Sequence, residues 1–140
     1  MIGMQIVIPG EPVAKGRPRF RVAGKFVQTY TPAKTKKEEA RVKSIIKEQF
    51  KEAPLNIPIA INMIFSFAIP KSYTKKQRKE IELNFNRHFR KPDCDNIGKL
   101  YLDAMNGIVY KDDSQIYSLK LSKFYTEKEE GSVLIIIERL

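Results

Sequence analysis

From Ile57 to Ile69 every odd position is apolar: Ile57, Ile59, Ile61, Met63, Phe65, Phe67 and Ile69. A period of two over such a length marks a β-strand, because successive strand side chains point to opposite faces. The even positions include Asn62 and Ser66, and Pro58 and Pro70 bracket the run. A strand of this kind needs partner strands and a covering layer. Val133 to Ile137 is a continuous apolar run, as in a strand covered on both faces. Met4, Ile6 and Ile8 alternate up to Pro9, and Tyr117, Leu119 and Leu121 alternate again, so both segments read as strands.

The helical signals lie between these strands. Thr35 with Glu38 has capping-box spacing, and Val42, Ile45, Ile46 and Phe50 recur helically, predicting a helix over about 35–51. Thr74 with Gln77 repeats the capping-box spacing and opens a short, charged, exposed helix reaching about Phe85. From Asn96 onward, Ile97, Leu100, Tyr101, Ala104, Met105 and Ile108 form a wide helical stripe, and Gly107 is a natural stop. Residues 10–34 are punctuated by Pro and Gly and strongly basic, the pattern of a loop or loose hairpin. Lys128 to Gly131 reads as a turn. The sum is an α/β (α+β) chain with a mixed β-sheet of about four to five strands and two to three helices. At 140 residues it is long enough for one domain, 1–140, around one core.

No apolar run approaches the roughly 18 residues of a membrane span, and the first ten residues do not resemble a signal peptide. Cys94 is the sole cysteine, which excludes an internal disulfide and fits a reducing cytosol. The expectation is a cytoplasmic protein with no membrane partner.

Charge is unevenly placed. The net charge is +10, yet residues 1–90 carry 19 Lys and Arg against 7 Glu and no Asp. All five aspartates fall between Asp93 and Asp113. The basic part has the sign that attracts a phosphate backbone. An acidic block inside such a chain suggests a divalent cation held against nucleic-acid phosphate. Asp95, Lys99 and Asp103 are spaced by four and line one helical stripe opposite the apolar one. Pro92 favours an extended course just before, on which Asp93 and Asp95 share a face and Cys94 turns towards the core. Asp112 and Asp113 must return from beyond Gly107 to join them.

Hard oxygen ligands suit Mg²⁺ or Mn²⁺. One Cys and one His make zinc a poor candidate. An EF-hand fails, because Ile97 and Ala104 stand where oxygen ligands are required. Structural readings remain beside the metal one: a helix N-cap at Asp93 or Asp95, a surface pair of Lys99 with Asp103, and a turn at Asp112-Asp113.

Lys15, Arg17, Arg19 and Arg21 alternate in a basic arm. Pro18 favours an extended course that places all four cations on one side, with Phe20 anchoring the other or stacking on a base. Lys75, Lys76, Arg78 and Lys79 form a less specific patch. Arg87, His88, Arg90 and Lys91 precede the aspartates and are placed to steer phosphate, His88 reading as a surface histidine rather than a general base.

The segment Lys91-Pro92-Asp93-x-Asp95-Asn96-x-x-Lys99-x-x-x-Asp103-Ala104-Met105-x-Gly107, followed by Asp112-Asp113-x-Gln115-Ile116, resembles the signature of RusA-type Holliday-junction resolvases. Many fixed offsets make it far more specific than a lone Asp-x-Asp. The Lys-Gly-Arg-Pro-Arg arm is similar to that of phage and prophage members. The resemblance implies a homodimeric, Mg²⁺-dependent endonuclease that cuts four-way DNA junctions by symmetric nicks. It implies metal ligands at Asp93, Asp95 and Asp113 and an essential lysine at Lys99, with Asp103 and Asp112 as supporting acids. Lys15, Arg17, Arg19, Arg21, Arg90 and Lys91 are the expected DNA contacts. A twofold dimer matches a junction that needs two nicks. The rivals are a magnesium nuclease of other substrate, such as flaps or RNA, and a non-catalytic basic nucleic-acid-binding module with structural aspartates. A ribosome-associated basic protein would seldom concentrate all its aspartates.

Overall fold

The computed structural model describes residues 2–16, 19–30 and 32–139, without the side chains of residues 2 and 19. Among them the order is β1 (Ile2–Pro9), β2 (Arg19–Ala23), β3 (Phe26–Tyr30), α1 (Ala33–Gln49), β4 (Ile59–Ala68), α2 (Lys75–Leu83), α3 (Cys94–Met105), β5 (Ile116–Thr126) and β6 (Ser132–Arg139). The fold is mixed α+β, with a four-stranded sheet in the order β1-β6-β4-β5 and a separate β2-β3 hairpin.

The period-two run forms β4, with every odd position buried and every even one half-buried. It lies antiparallel to β6 and parallel to β5. A parallel neighbour requires a crossover. The chain between them carries α2, α3 and a single 3-10 turn, and this connection bears the aspartates. In β6, Val133, Ile135 and Ile137 are buried while Leu134 and Ile136 are half-buried, so that strand is covered fully on one face only.

Helices α1 and α3 pack on each other and on the sheet. Val42 and Ile46 of α1 join Ile97, Leu100, Tyr101, Ala104 and Met105 of α3 in one core with the odd residues of β4 and β6. Fully burying an aliphatic or aromatic side chain contributes about 1.5–3 kcal/mol, which fixes the apolar stripe of α3 inward and its polar stripe outward. Gly98 lets α3 come close to β5. A Cβ there would lie 2.8 Å from Leu121 Cδ1.

Three local expectations differ from the structure. Thr35 does not cap α1, which begins at Ala33. Thr35 is instead buried within the helix, where its Oγ1 accepts from the Gly16 backbone N–H at 3.0 Å, and Glu38 pairs with Arg41. Tertiary contact overrode the local capping pattern. Helix α3 begins at Cys94 rather than Asn96, so Asp93 and Asp95 are not alternate residues of an extended segment. The basic arm contains the hairpin its Pro and Gly punctuation predicts, but Phe20 does not anchor one side of it, because both faces of the hairpin lie in solvent. The capping box at Thr74 and Gln77 forms in full. No described helix is long and apolar enough to cross a membrane.

Candidate active site

The polar stripe of α3 carries the first part of the site. Asp93 holds the N-cap position, but its carboxylate makes no capping hydrogen bond. Asp95 follows in the first turn, where the helix dipole favours negative charge. Among the described residues neither carboxylate has an ion pair or hydrogen-bond partner, and both residues are exposed. Cys94 between them is half-buried. Lys91, Pro92, Asp93 and Asn96 line a pocket of about 390 Å³ beside the helix start. The Lys91-Pro92 peptide is cis.

One and two turns further on stand Lys99 and Asp103. Lys99 Nζ lies 3.5 Å from Asp103 Oδ1 and is 60% exposed. The other Asp103 oxygen accepts from Lys15 Nζ, which also lies 3.7 Å from Glu39 of α1. The hydrogen bond it donates to Asp103 raises the Lys15 ammonium above its ordinary pKa, against the cost of burial. Asp103 is thus held between two lysines.

Lys15 belongs to a strap clamped across two helices. The Val13 N–H donates to the Tyr101 hydroxyl at 3.1 Å, Lys15 N–H to the Asn96 carbonyl at 3.0 Å, and Gly16 N–H to Thr35. Burial pushes the Tyr101 hydroxyl up to about 12, so it stays a neutral acceptor here. Lys15 is therefore committed to Asp103 and does not stand with Arg21 in a row of free cations. Arg17 and the side chain of Arg19 lie outside the described residues. Arg21 is exposed and binds Gln28 across the hairpin. Phe20 is 71% exposed and anchors nothing.

The second part of the site is the 3-10 turn Asp113–Gln115. Asp112 caps it, accepting from Ser114 N–H, and the Ser114 hydroxyl, followed by this N–H, lowers its pKa. Asp112 is a structural cap. Gln115 completes the capping box and also donates to the carbonyls of Leu55 and Ile57, tying the turn to the residues leading into β4. No role for Gln115 was foreseen, although Asp112-x-x-Gln115 has the capping-box spacing already noted at Thr74. Asp113 has no ion pair or hydrogen-bond partner for its carboxylate among the described residues. Its charge, with those of Asp103 and Asp112, adds to burial in raising the Tyr110 hydroxyl, which donates to the Leu102 carbonyl at 2.5 Å. The turn therefore lies in electrostatic reach of the same hydroxyl as Asp103 on α3.

The segment before Asp93 is mounted on β5. His88 N–H donates to the Lys123 carbonyl, and Lys123 Nζ donates to the carbonyls of Arg90 and Pro92 at 2.5 and 2.7 Å. His88 is not a surface histidine. Its ring stacks on Phe67 at 4.2 Å and against Tyr125 at 4.6 Å. Burial, helped by Lys123, lowers its pKa to about 4, so it is neutral at pH 7 and gives no steering charge. Arg90 and Lys91 remain exposed cations beside Asp93.

Whether these residues suit a divalent cation has two answers. The donors are all oxygens, and Asp93, Asp95 and Asp113 are not spent on protein partners, which is the chemistry Mg²⁺ requires. Among the described residues, however, no three His, Cys, Asp or Glu side chains are gathered closely enough to hold a metal ion. The donor set fits, and its assembly is incomplete.

Comparison with known proteins adds the following. A family model described as Endodeoxyribonuclease RusA matches residues 9–138. An uncharacterized protein of Bacillus subtilis (strain 168), YqaN, is 36% identical over 134 residues, covering 94% of each chain.

Proposed function

The chain belongs to the RusA endodeoxyribonuclease family, and from that premise we propose that it resolves four-way (Holliday) junctions by paired, symmetric, Mg²⁺-dependent nicks. It would work as a homodimer in the cytoplasm, in DNA recombination, repair or phage DNA processing, through one domain spanning 1–140. The observation that carries this reading is the sorting of the aspartates. Asp103 is paired with lysines and Asp112 caps a turn, while Asp93, Asp95 and Asp113 are left without protein partners among the described residues.

Asp93, Asp95 and Asp113 would hold Mg²⁺, with Mn²⁺ as a substitute. When bound, the cation supplies an activated water and neutralises charge at the phosphate. Lys99 is exposed, and its ammonium would stabilise negative charge building on the phosphoryl oxygens. Asp103 orients Lys99, and Lys15 holds Asp103. His88, neutral and stacked, brings no positive charge to the phosphate. Arg21, Arg90 and Lys91, with Arg17 and Arg19, contact the DNA backbone.

The test uses an immobile four-way junction labelled on each strand, with Mg²⁺ or with EDTA. Paired nicks placed symmetrically at the crossover are expected with Mg²⁺ alone. Asp95→Asn should lower cleavage at least about a hundredfold while keeping junction binding, since the lost carboxylate faces phosphate. A second reading is favoured by the absence of a gathered three-acid group among the described residues: a non-catalytic nucleic-acid-binding module. Tight, salt-sensitive junction binding without nicks in Mg²⁺ or Mn²⁺ would establish that module and end the nuclease reading.

A further inference from the structure

Helix α2 ends in a way that packing does not explain. Asn86 N–H donates to the Ile81 carbonyl and Phe85 N–H to the Glu82 carbonyl, the paired bonds of a Schellman C-cap. That cap needs a left-handed residue just past the helix, a position usually filled by glycine. Here Phe85 occupies it at φ +57, followed by Asn86 at φ +60. Asparagine tolerates this conformation, and phenylalanine is strained in it. The strain brings no burial, because Phe85 is 74% exposed.

A few residues on, Phe89 is 55% exposed. Each ring carries a guanidinium. Arg87 Cζ lies 5.2 Å from the Phe85 centroid, and Arg90 Cζ 5.5 Å from that of Phe89. The segment is fixed to β5 by Tyr125 N–H donating to Asn86, by His88 clamped between Phe67 and Tyr125, and by Lys123 under Arg90 and Pro92. It leads straight into Asp93. Residues 85–91 hold Arg87, Arg90 and Lys91 and no carboxylate. A second copy would set this charge against itself, whereas a polyanion complements it.

We propose that Phe85 and Phe89 form a stacking platform for unpaired or unstacked nucleobases at a DNA branch point, with Arg87 and Arg90 on the adjoining phosphates. The platform would seat the branch beside the aspartates of α3 and so help to choose branched DNA over duplex. This deepens the junction reading and rests on it. Exposed bases stack on any aromatic face, so the contact is selective for structure, not sequence.

Phe85→Gly separates stability from function. Glycine relieves the left-handed strain, so the variant should melt no lower than wild type. Phe85→Asn, which also tolerates that conformation, repeats the test, and Phe89→Ala removes the second ring. Binding is measured with Ca²⁺ in place of Mg²⁺, on an immobile junction carrying 2-aminopurine at the crossover and on a linear duplex. Wild type should bind the junction more tightly and change the 2-aminopurine emission. Each ring removed should weaken junction binding about tenfold and duplex binding by less than about threefold, since phosphate contacts remain. Variants that bind and perturb the junction like wild type overturn the platform alone. A double variant that sediments as a monomer where wild type is a dimer makes this surface a subunit interface and also overturns it. Wild type with no junction preference overturns the junction reading and the platform with it.

Discussion

Gln115→Ala removes a side chain that ties the turn bearing Asp113 to the sheet. Gln115 Oε1 accepts from the N–H groups of Lys111 and Asp112, both at 2.9 Å, and Nε2 donates to Leu55 at 2.8 Å and Ile57 at 3.1 Å. One such bond contributes about 0.5–1.5 kcal/mol net. Only the bond to Leu55 is part-buried, so water replaces the others at little cost, and a loss of about 2 kcal/mol is expected. For a chain of this size that lowers Tm by about 6 °C, readable by calorimetry or denaturant titration. Gln115→Glu should be worse than alanine, because a carboxylate oxygen then faces two carbonyls. The turn loses its hold, so at a temperature where Gln115→Ala is fully folded, cleavage should require about tenfold more Mg²⁺ while kcat at saturating Mg²⁺ stays near wild type. Asp113→Asn should fail at every Mg²⁺ concentration. Wild-type stability together with wild-type Mg²⁺ dependence in Gln115→Ala would refute the argument.

Three further outcomes follow from the packing. Lys15→Met should cost about 1 kcal/mol, and a double-mutant cycle with Asp103→Asn should recover most of it as coupling. Because Asp103 raises the Lys15 pKa in the fold, this stabilisation is present below the ordinary lysine value and is lost as pH rises through the folded one. His88, lowered from 6.5 to about 4, acts on the acid side: below 6.5 the unfolded chain takes the proton more readily, so stability falls from there towards pH 4. The full difference is worth about 3 kcal/mol, which partial solvent access screens to about 1–2, and melts of His88→Phe at pH 4.5 and 7 should show that slope flattened. Gly98→Ala places a methyl 2.8 Å from Leu121 Cδ1, the end of a half-buried side chain that can turn aside, and alanine favours the helix by about 1 kcal/mol. The two effects should nearly cancel, so the denaturation midpoint should report a change of less than about 1 kcal/mol in stability.

Strand β4 and the site helix were legible because burial imposes a period, whereas Tyr117 and Leu119 of β5 alternate in sequence yet are exposed. Ile59 to Phe67 alternate in sequence and in exposure, and Ile97, Leu100, Tyr101, Ala104 and Met105 are buried as their spacing requires. Elements read from capping chemistry fared unevenly. Thr74 and Gln77 cap an exposed helix with nothing competing for them, whereas Thr35 was claimed by Gly16 from a distant segment. The fate of the arm was not legible for the same reason. Nothing near Lys15 in sequence indicates Asp103, Asn96 or Glu39, and only the packing of α1 on α3 brings them together. His88 was misread as exposed because its cover, Phe67 and Tyr125, comes from two strands on either side of it in sequence.

The aspartates look alike in sequence and differ in the fold. A carboxylate paired with two lysines, as Asp103 is, has spent its charge on holding elements together, and a cation would have to compete for it. Asp112, bonded to the turn it caps, is spent in the same sense. Asp93 sits where a cap belongs and makes no cap bond, Asp95 adds a second charge one turn from Lys99, and the Asp113 carboxylate takes no part in the hydrogen bonds that order its turn. Three like charges kept without partners among the described residues, in a chain of net charge +10, are not needed for solubility. They are the trio that the signature resemblance implies as metal ligands, and they are the carboxylates that no described residue engages. A cation held by all three would join the 3-10 turn to the start of α3, and each of these is positioned by contacts of its own, the turn by Gln115 and the helix start by the Asn96–Lys15 strap. Metal affinity should therefore depend on residues that touch neither metal nor DNA.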